Sequence, residues 1–224
     1  MSDICDLFII ESLSKDFPHE GELLCSALRR IGKRPIYMEV RNKEELKNAL
    51  DVFKMSNYRY IHFSCHGTET SVTLSDCELL YSDFASLSTG CFNNKRLFFS
   101  ACLLGNDIFS EEIINYNPGL QSIVAPINKI FEGYSFAMWV TFYLALFLPK
   151  RKTQKTETET SNISFQELMR LLGKTIAIIG EPIHCSYHET AKNVLYHKKL
   201  IPKARIKNAS FFSSVKPYKT TPLN

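Results

Sequence analysis

A chain of 224 residues with 45% hydrophobic and 22% charged side chains is long enough for one substantial domain and a tail, and too apolar to be disordered across its body. The net charge of +4 is modest, and much of the excess base falls between Lys198 and Lys219, which predicts a basic tail and makes a nucleic-acid partner unexpected. Seven cysteines, an odd number with no C-x-x-C pair and no framework spacing, predict reduced thiols in a cytoplasmic setting.

The first residues (MSDICD) are acidic where an export leader would carry positive charge, so no export is expected. Residues 6–11 (DLFIIE) read as a short buried strand, followed by a polar loop over 12–20. Leu23, Leu24, Ala27, Leu28 and Ile31 form a helical stripe over 20–31 that stops at Gly32. Ile36, Met38 and Val40 alternate as a second strand over 35–40. Leu46, Ala49, Leu50 and Phe53 mark a helix over 43–55, and residues 60–65 are a third strand. Strands separated by helices pair in parallel through crossover connections, so the expected class is α/β, with a mostly parallel central sheet and helices on both faces.

After Gly67, residues 71–74 and 78–81 read as a small β-hairpin around the turn 75–77. Residues 83–88 predict a helical turn, 96–101 a fourth strand, 109–116 a helix, 122–126 a fifth strand and 135–148 a buried helix. That last apolar run is too short to span a bilayer, and no membrane segment is expected. Residues 150–161 (KRKTQKTETETS) hold no apolar side chain and predict a surface loop. A short helix over 165–172 follows, with Ser164 as N-cap, Glu167 completing a capping box and Gly173 at its C-terminal end. Residues 174–179 continue as helix or as strand. The expected organisation is one domain over 1–179 and a basic, partly ordered extension over 180–224.

Two runs carry chemistry. Residues 60–67 (YIHFSCHG) and 97–102 (LFFSAC) have the composition of strands buried on both faces, and each stops at a reactive side chain, His66 or Cys102. Parallel neighbours would deliver both to the carboxyl edge of the sheet, where open α/β folds place their sites. A thiol of pKa about 8.5 is only slightly ionised at neutral pH, and an adjacent imidazole supplies the missing base. Gly67 lets the backbone approach closely, and its N–H with that of Cys102 can face the oxygen that becomes charged in a tetrahedral intermediate. Such a set performs acyl transfer, most simply peptide-bond hydrolysis. The plainer reading of the same residues is packing, since cysteine is among the most buried residue types, and both readings stand at this point. His62 and Cys65 are expected in the core. The stretch 184–188 (HCSYH) offers metal-ligand types with no partner cluster, and no glycine-rich phosphate loop occurs, so neither metal nor cofactor is expected.

Residues 61–67, the hairpin after them and residues 97–102 resemble the CHAT family of caspase-like cysteine peptidases, clan CD. In that family a hydrophobic strand ends in His-Gly and the next ends in Ser-Ala-Cys. Residues 122–129 (SIVAPINK), Ala137 and residues 142–146 (FYLAL) are similar to the family's stretch after the cysteine, so the resemblance spans roughly residues 6–148. It implies a three-layer caspase-hemoglobinase fold, His66 as base, Cys102 as nucleophile and a protein or peptide substrate. It also implies an activating or sensor partner of the kind found in bacterial defence or regulated cell death, with control through that partner, dimerisation or cleavage in 150–161. Ser100-Ala101 stands where caspases proper carry Gln-Ala, so their aspartate specificity does not transfer. Glu11 and Asp16, at or just after the end of the first strand, are the candidate substrate-binding carboxylates and would favour a basic P1 residue. The alternatives are a catalytically inactive scaffold for protein interaction, and a nucleotide or signalling-ligand binder at the same sheet edge.

Overall fold

The computed structural model describes residues 4–14, 18–148, 163–189 and 194–202; Asp16 and the expected loop 150–161 lie outside them. The first half runs β1 (Ile4–Ser12), α1 (Glu20–Arg30), β2 (Ile36–Glu39), α2 (Lys43–Met55) and β3 (Tyr58–Gly67). The hairpin β4 (Ser71–Thr73) and β5 (Glu78–Leu80) follows, then α3 (Tyr81–Leu87), β6 (Arg96–Ser100), α4 (Asp107–Tyr116) and β7 (Ser122–Pro126). The chain continues with α5 (Glu132–Phe147), α6 (Phe165–Ile179), β8 (Ile183–Glu189) and β9 (Val194–Leu200).

The main sheet has the order β2-β1-β3-β6-β7-β8-β9. β2, β1, β3, β6 and β7 are parallel, as the alternation of strands and helices predicts, while β8 and β9 are added antiparallel. The sheet therefore continues past residue 179, where the expected domain ended. The chain leaves β1 toward β2 on one side and returns to β3 on the other, so the order reverses at β1 and opens a crevice at the carboxyl edge.

Side chains on a strand alternate between faces, and each face here has its own core. Phe8, Ile10, Ile61, Phe63, Leu97 and Phe99 pack under α2, α3 and α4, with Phe63 stacked on Phe99 at 4.8 Å between ring centroids. Leu7, Ile9, Tyr60 and Phe98 pack under α1, α5 and α6 with Trp139, Phe142 and Tyr143. Because α5 presents aromatic side chains around much of its surface, it fills the middle of that layer.

α6 does not stop at Gly173. Its apolar stripe continues through Leu171, Leu172, Thr175 and Ile176, which are buried, and packing outweighs the roughly 1 kcal/mol that a mid-helix glycine costs. The helix ends at Gly180, whose φ of 85° is the left-handed cap that glycine adopts without strain.

Glu11, on the α1 side of β1, is fully buried. Its carboxylate accepts from the Gly21 N–H at 2.6 Å and from the Tyr37 hydroxyl at 2.7 Å, and lies 3.3 Å from His19 Nδ1. It thereby joins the end of β1 to the first turn of α1 and to β2. Replacing Glu11 by Ala strands a buried N–H and a partly buried phenol, and we expect a loss of about 2 to 4 kcal/mol in unfolding free energy, read from the urea midpoint.

Candidate active site

The strand alternation decides which side chains reach the crevice. Ser64 of β3 pairs in register with Ser100 of β6, and both share the face of Tyr60, His62 and Phe98, toward α1 and α5. Beyond that pair β6 ends, Cys102 lies in the turn that follows it, and His66 at the end of β3 pairs with Thr73 of β4. The two chain segments meet there. A Cβ built on Gly67 would lie 2.6 Å from the Cys102 carbonyl oxygen and 2.8 Å from Leu104 Cγ, so only glycine permits this approach. His66 and Cys102 are both half-buried. The Cys102 sulfur receives the Ile130 N–H at 3.4 Å and lies 3.8 Å from the Ile130 carbonyl, which fixes the thiol against the segment entering α5.

The turn after Cys102 is strained. Leu103 has φ of 64°, a left-handed conformation that costs a leucine on the order of 1 kcal/mol and persists only when its surroundings over-determine it. They do so here. Asn106 Nδ2 donates to the Leu103 carbonyl at 2.9 Å, while Asn106 Oδ1 caps α4 by accepting the Phe109 N–H. The Gly105 N–H donates to Pro126 O at 2.8 Å, and a Cβ on Gly105 would sit 2.6 Å from the carbonyl oxygens of Ala125 and Pro126. The loop is thus held to β7 through Gly105 and to the start of α4 through Asn106.

Behind the sheet edge lies a carboxylate that composition did not single out. Glu20, the first residue of α1, accepts from Ser100 Oγ at 2.6 Å, from Ser135 Oγ at 3.2 Å and from Ser64 Oγ at 3.3 Å. Ser100 and Ser135 also hydrogen-bond each other. Burial is the largest influence on this carboxyl and raises it from 4.5 to about 7; the hydroxyls act against that rise, and the Glu11 charge adds to it. Ser64 and Ser100 each lie two residues before His66 and Cys102, roughly 6.6 Å back along their strands. The exposed rings of Phe131 and Tyr134, 6.2 Å apart, flank the Ile130 segment that touches the thiol.

His62 and Cys65 are core residues, as the alternation predicts. His62 Nδ1 lies 2.8 Å from the Tyr143 hydroxyl, and burial lowers its imidazole to about 3, so it stays neutral. Burial pushes the Cys65 thiol up to about 12, with the Glu20 and Cys102 charges adding to it. Cys25, Cys65, Cys77, Cys91, Cys102 and Cys185 carry free thiols. Of the stretch 184–188, only His184 enters a group with metal-ligand geometry, joining Asp107 and His197.

No family model and no curated protein matches the chain. Among solved structures, an inactive zymogen C11 protease from Parabacteroides distasonis is similar with a TM-score of 0.53 and 7% sequence identity. The similarity covers 81% of this chain and 61% of that one. The likeness is one of fold: a mixed α/β architecture with a mostly parallel central sheet flanked by helices, the caspase-like fold of that neighbour. Among the described residues no helix is long and apolar enough to cross a membrane.

Two outcomes follow from the geometry. Gly67→Ala forces the strand ends apart and lowers stability by about 1 to 3 kcal/mol in urea unfolding. For Glu20, the folded value near 7 lies above the ordinary 4.5, so the folded chain holds the proton more tightly. Its contribution to stability is present in full below pH 4.5 and is lost as the pH rises to 7. Across that window the urea midpoint of the wild type falls more steeply than that of Glu20→Gln, by about 3 kcal/mol in unfolding free energy.

Proposed function

We propose that this chain is a cysteine endopeptidase of the CHAT and caspase-like type, with Cys102 as nucleophile and His66 as its base. His66 takes the thiol proton as the Cys102 sulfur attacks the scissile carbonyl carbon. The N–H groups of Gly67 and Cys102 receive the resulting oxyanion. His66 then returns the proton to the departing amine, leaving a thioester on Cys102. Water, deprotonated by His66, attacks the thioester, releasing the new carboxyl terminus and restoring the thiol. The observation that supports this reading is the close approach of Gly67, next to His66, to Cys102 at the carboxyl edge of the sheet, where a Cβ on Gly67 would lie 2.6 Å from the Cys102 carbonyl oxygen.

The substrate side chain preceding the cleaved bond enters beside Glu20. That places the specificity-determining carboxylate on α1, next to Glu11 and near the end of the first strand, and favours a lysine or arginine at P1. An arriving cation draws Glu20 into its charged form, and the serine hydroxyls already donate to it. Phe131 and Tyr134 offer apolar surface for neighbouring substrate residues. The C11 neighbour is described as an inactive zymogen. For this chain, cleavage within 150–161 or a partner protein is the corresponding switch, in a regulated defence or cell-death-like role.

The test is labelling by acyloxymethyl ketone peptides with arginine or aspartate at P1, before and after limited proteolysis within 150–161. Labelling of the wild type should favour the arginine probe, vanish in Cys102→Ala and slow by about 10²- to 10⁴-fold in His66→Ala. Glu20→Gln should erase the preference between probes while Cys102 still reacts. If Cys102 reacts no faster than the partly exposed Cys77 before and after proteolysis, the peptidase reading fails and the fold serves as an interaction scaffold.

A further inference from the structure

We propose that Asp107, His184 and His197 form a binding site for a divalent transition metal of the zinc class, independent of the chemistry at Cys102. The site is built by the antiparallel ribbon that closes the sheet. Ser186 of β8 pairs with His197 of β9, and His184 lies two residues before Ser186 on the same face. The two imidazoles are therefore diagonal neighbours, with ring centroids 5.4 Å apart and planes 16° from parallel. α4 packs on β8, and its first residue, Asp107, reaches both rings.

Asp107 Oδ1 lies 2.9 Å from His184 Nε2 and 3.3 Å from His197 Nδ1, and the ligand atoms all fall within 4.8 Å of one another. Tetrahedral zinc with bonds of about 2.0 to 2.2 Å separates its nitrogen and oxygen ligands by roughly 3.3 to 3.5 Å. His184 is 1% exposed, and its Nε2 has no hydrogen-bond partner although the Asp107 oxygen is so close. The buried ring nitrogen and the carboxylate oxygen face each other, with His197 Nδ1 beside the same oxygen, so that one small cation could be shared by all three. Asp107 and His197 keep 54% and 24% of their side chains exposed, which leaves a path for the ion and room for a water ligand.

The surroundings supply second contacts. His197 Nε2 lies 4.0 Å from Glu111 Oε1, one helical turn beyond Asp107, where a ligating histidine's other nitrogen commonly finds a carboxylate. His184 Nδ1 is 3.5 Å from Ser186 Oγ, which donates to Ser110 Oγ at 2.7 Å. Lys199, opposite His184 on the ribbon, opposes a cation, while Asp107 and Glu111 together offset it. The competing arrangement is a metal-free cluster in which His197 Nδ1 bonds Ser186 Oγ at 3.0 Å. A bound ion would tie the first turn of α4, which begins shortly after Cys102, to β8 and β9.

The experiment uses the full chain with Cys102→Ala, so that the thiol cannot compete, stripped of metal by a chelator. Zinc ion alone is then titrated in competition with a chromophoric chelator, and thermal unfolding is followed with and without zinc. We expect one zinc per chain and an upward shift in Tm. In Asp107→Asn and in His197→Ala, both on the exposed side and expected to retain the circular dichroism of the parent, binding should weaken at least about 10-fold and the shift should disappear; Glu111→Gln should weaken binding by about 10-fold. Zinc binding undiminished in both Asp107→Asn and His197→Ala, or no stoichiometric binding in the Cys102→Ala parent, would overturn the site in favour of the hydrogen-bonded cluster.

Discussion

Everything at the carboxyl edge depends on the two-residue alternation of β3 and β6 inside a sheet covered on both faces. One parity stacks Phe63 on Phe99 in the layer of α2, α3 and α4. The other lays Tyr60 and Phe98 under α5, and then, where the strands run out of core, turns Ser64 and Ser100 toward Glu20. A slip of one residue in this pairing would expose the phenylalanines to the wrong layer and bury the serines among aromatics, so the register is set by the core and inherited by the site. Just past the paired stretch, Gly67 comes up against the Cys102 carbonyl.

Two neighbouring carboxylates divide the work between them. Glu11 is closed off, satisfied by a backbone N–H and a phenol, and holds α1 and β2 to the end of β1. Glu20 is satisfied by hydroxyls alone, and hydroxyls can reorient at little cost when a different partner arrives. The Glu11 charge also helps keep Glu20 protonated near neutrality. The pair thus combines a rigid anchor with an adaptable group, held by serines two residues before His66 and Cys102.

Most of the fold was legible because its strands are buried on both faces and its helices carry clean stripes, as in Leu46, Ala49, Leu50 and Phe53 of α2. β8 and β9 were not, because β9 is an edge strand exposed along most of its length and its Val-Leu-Tyr-His-Lys-Lys-Leu run reads as part of a basic tail. The extent of α6 was obscured by Gly173, which sits in open space and so breaks nothing. Glu20 looked like an ordinary acidic residue at a helix start. A signal was nevertheless present: serines at matching positions in two otherwise apolar strands are buried hydroxyls, and buried hydroxyls require partners. His197 carried no such signal, since its neighbours in space, Asp107 and His184, are far apart in the chain.

The clasp around Glu20 also bears on the order in which the molecule assembles. Its bonds to Ser64 and Ser100 span 44 and 80 residues, and its bond to Ser135 spans 115. Contacts of longer separation carry a larger loop-closure entropy and form later. During synthesis β3 and β6 can pair before α5 has emerged, whereas the cradle around Glu20 closes only when α5 docks. A nascent chain would therefore have the edge of β3 and β6 in place before the three hydroxyls around Glu20 have all come together.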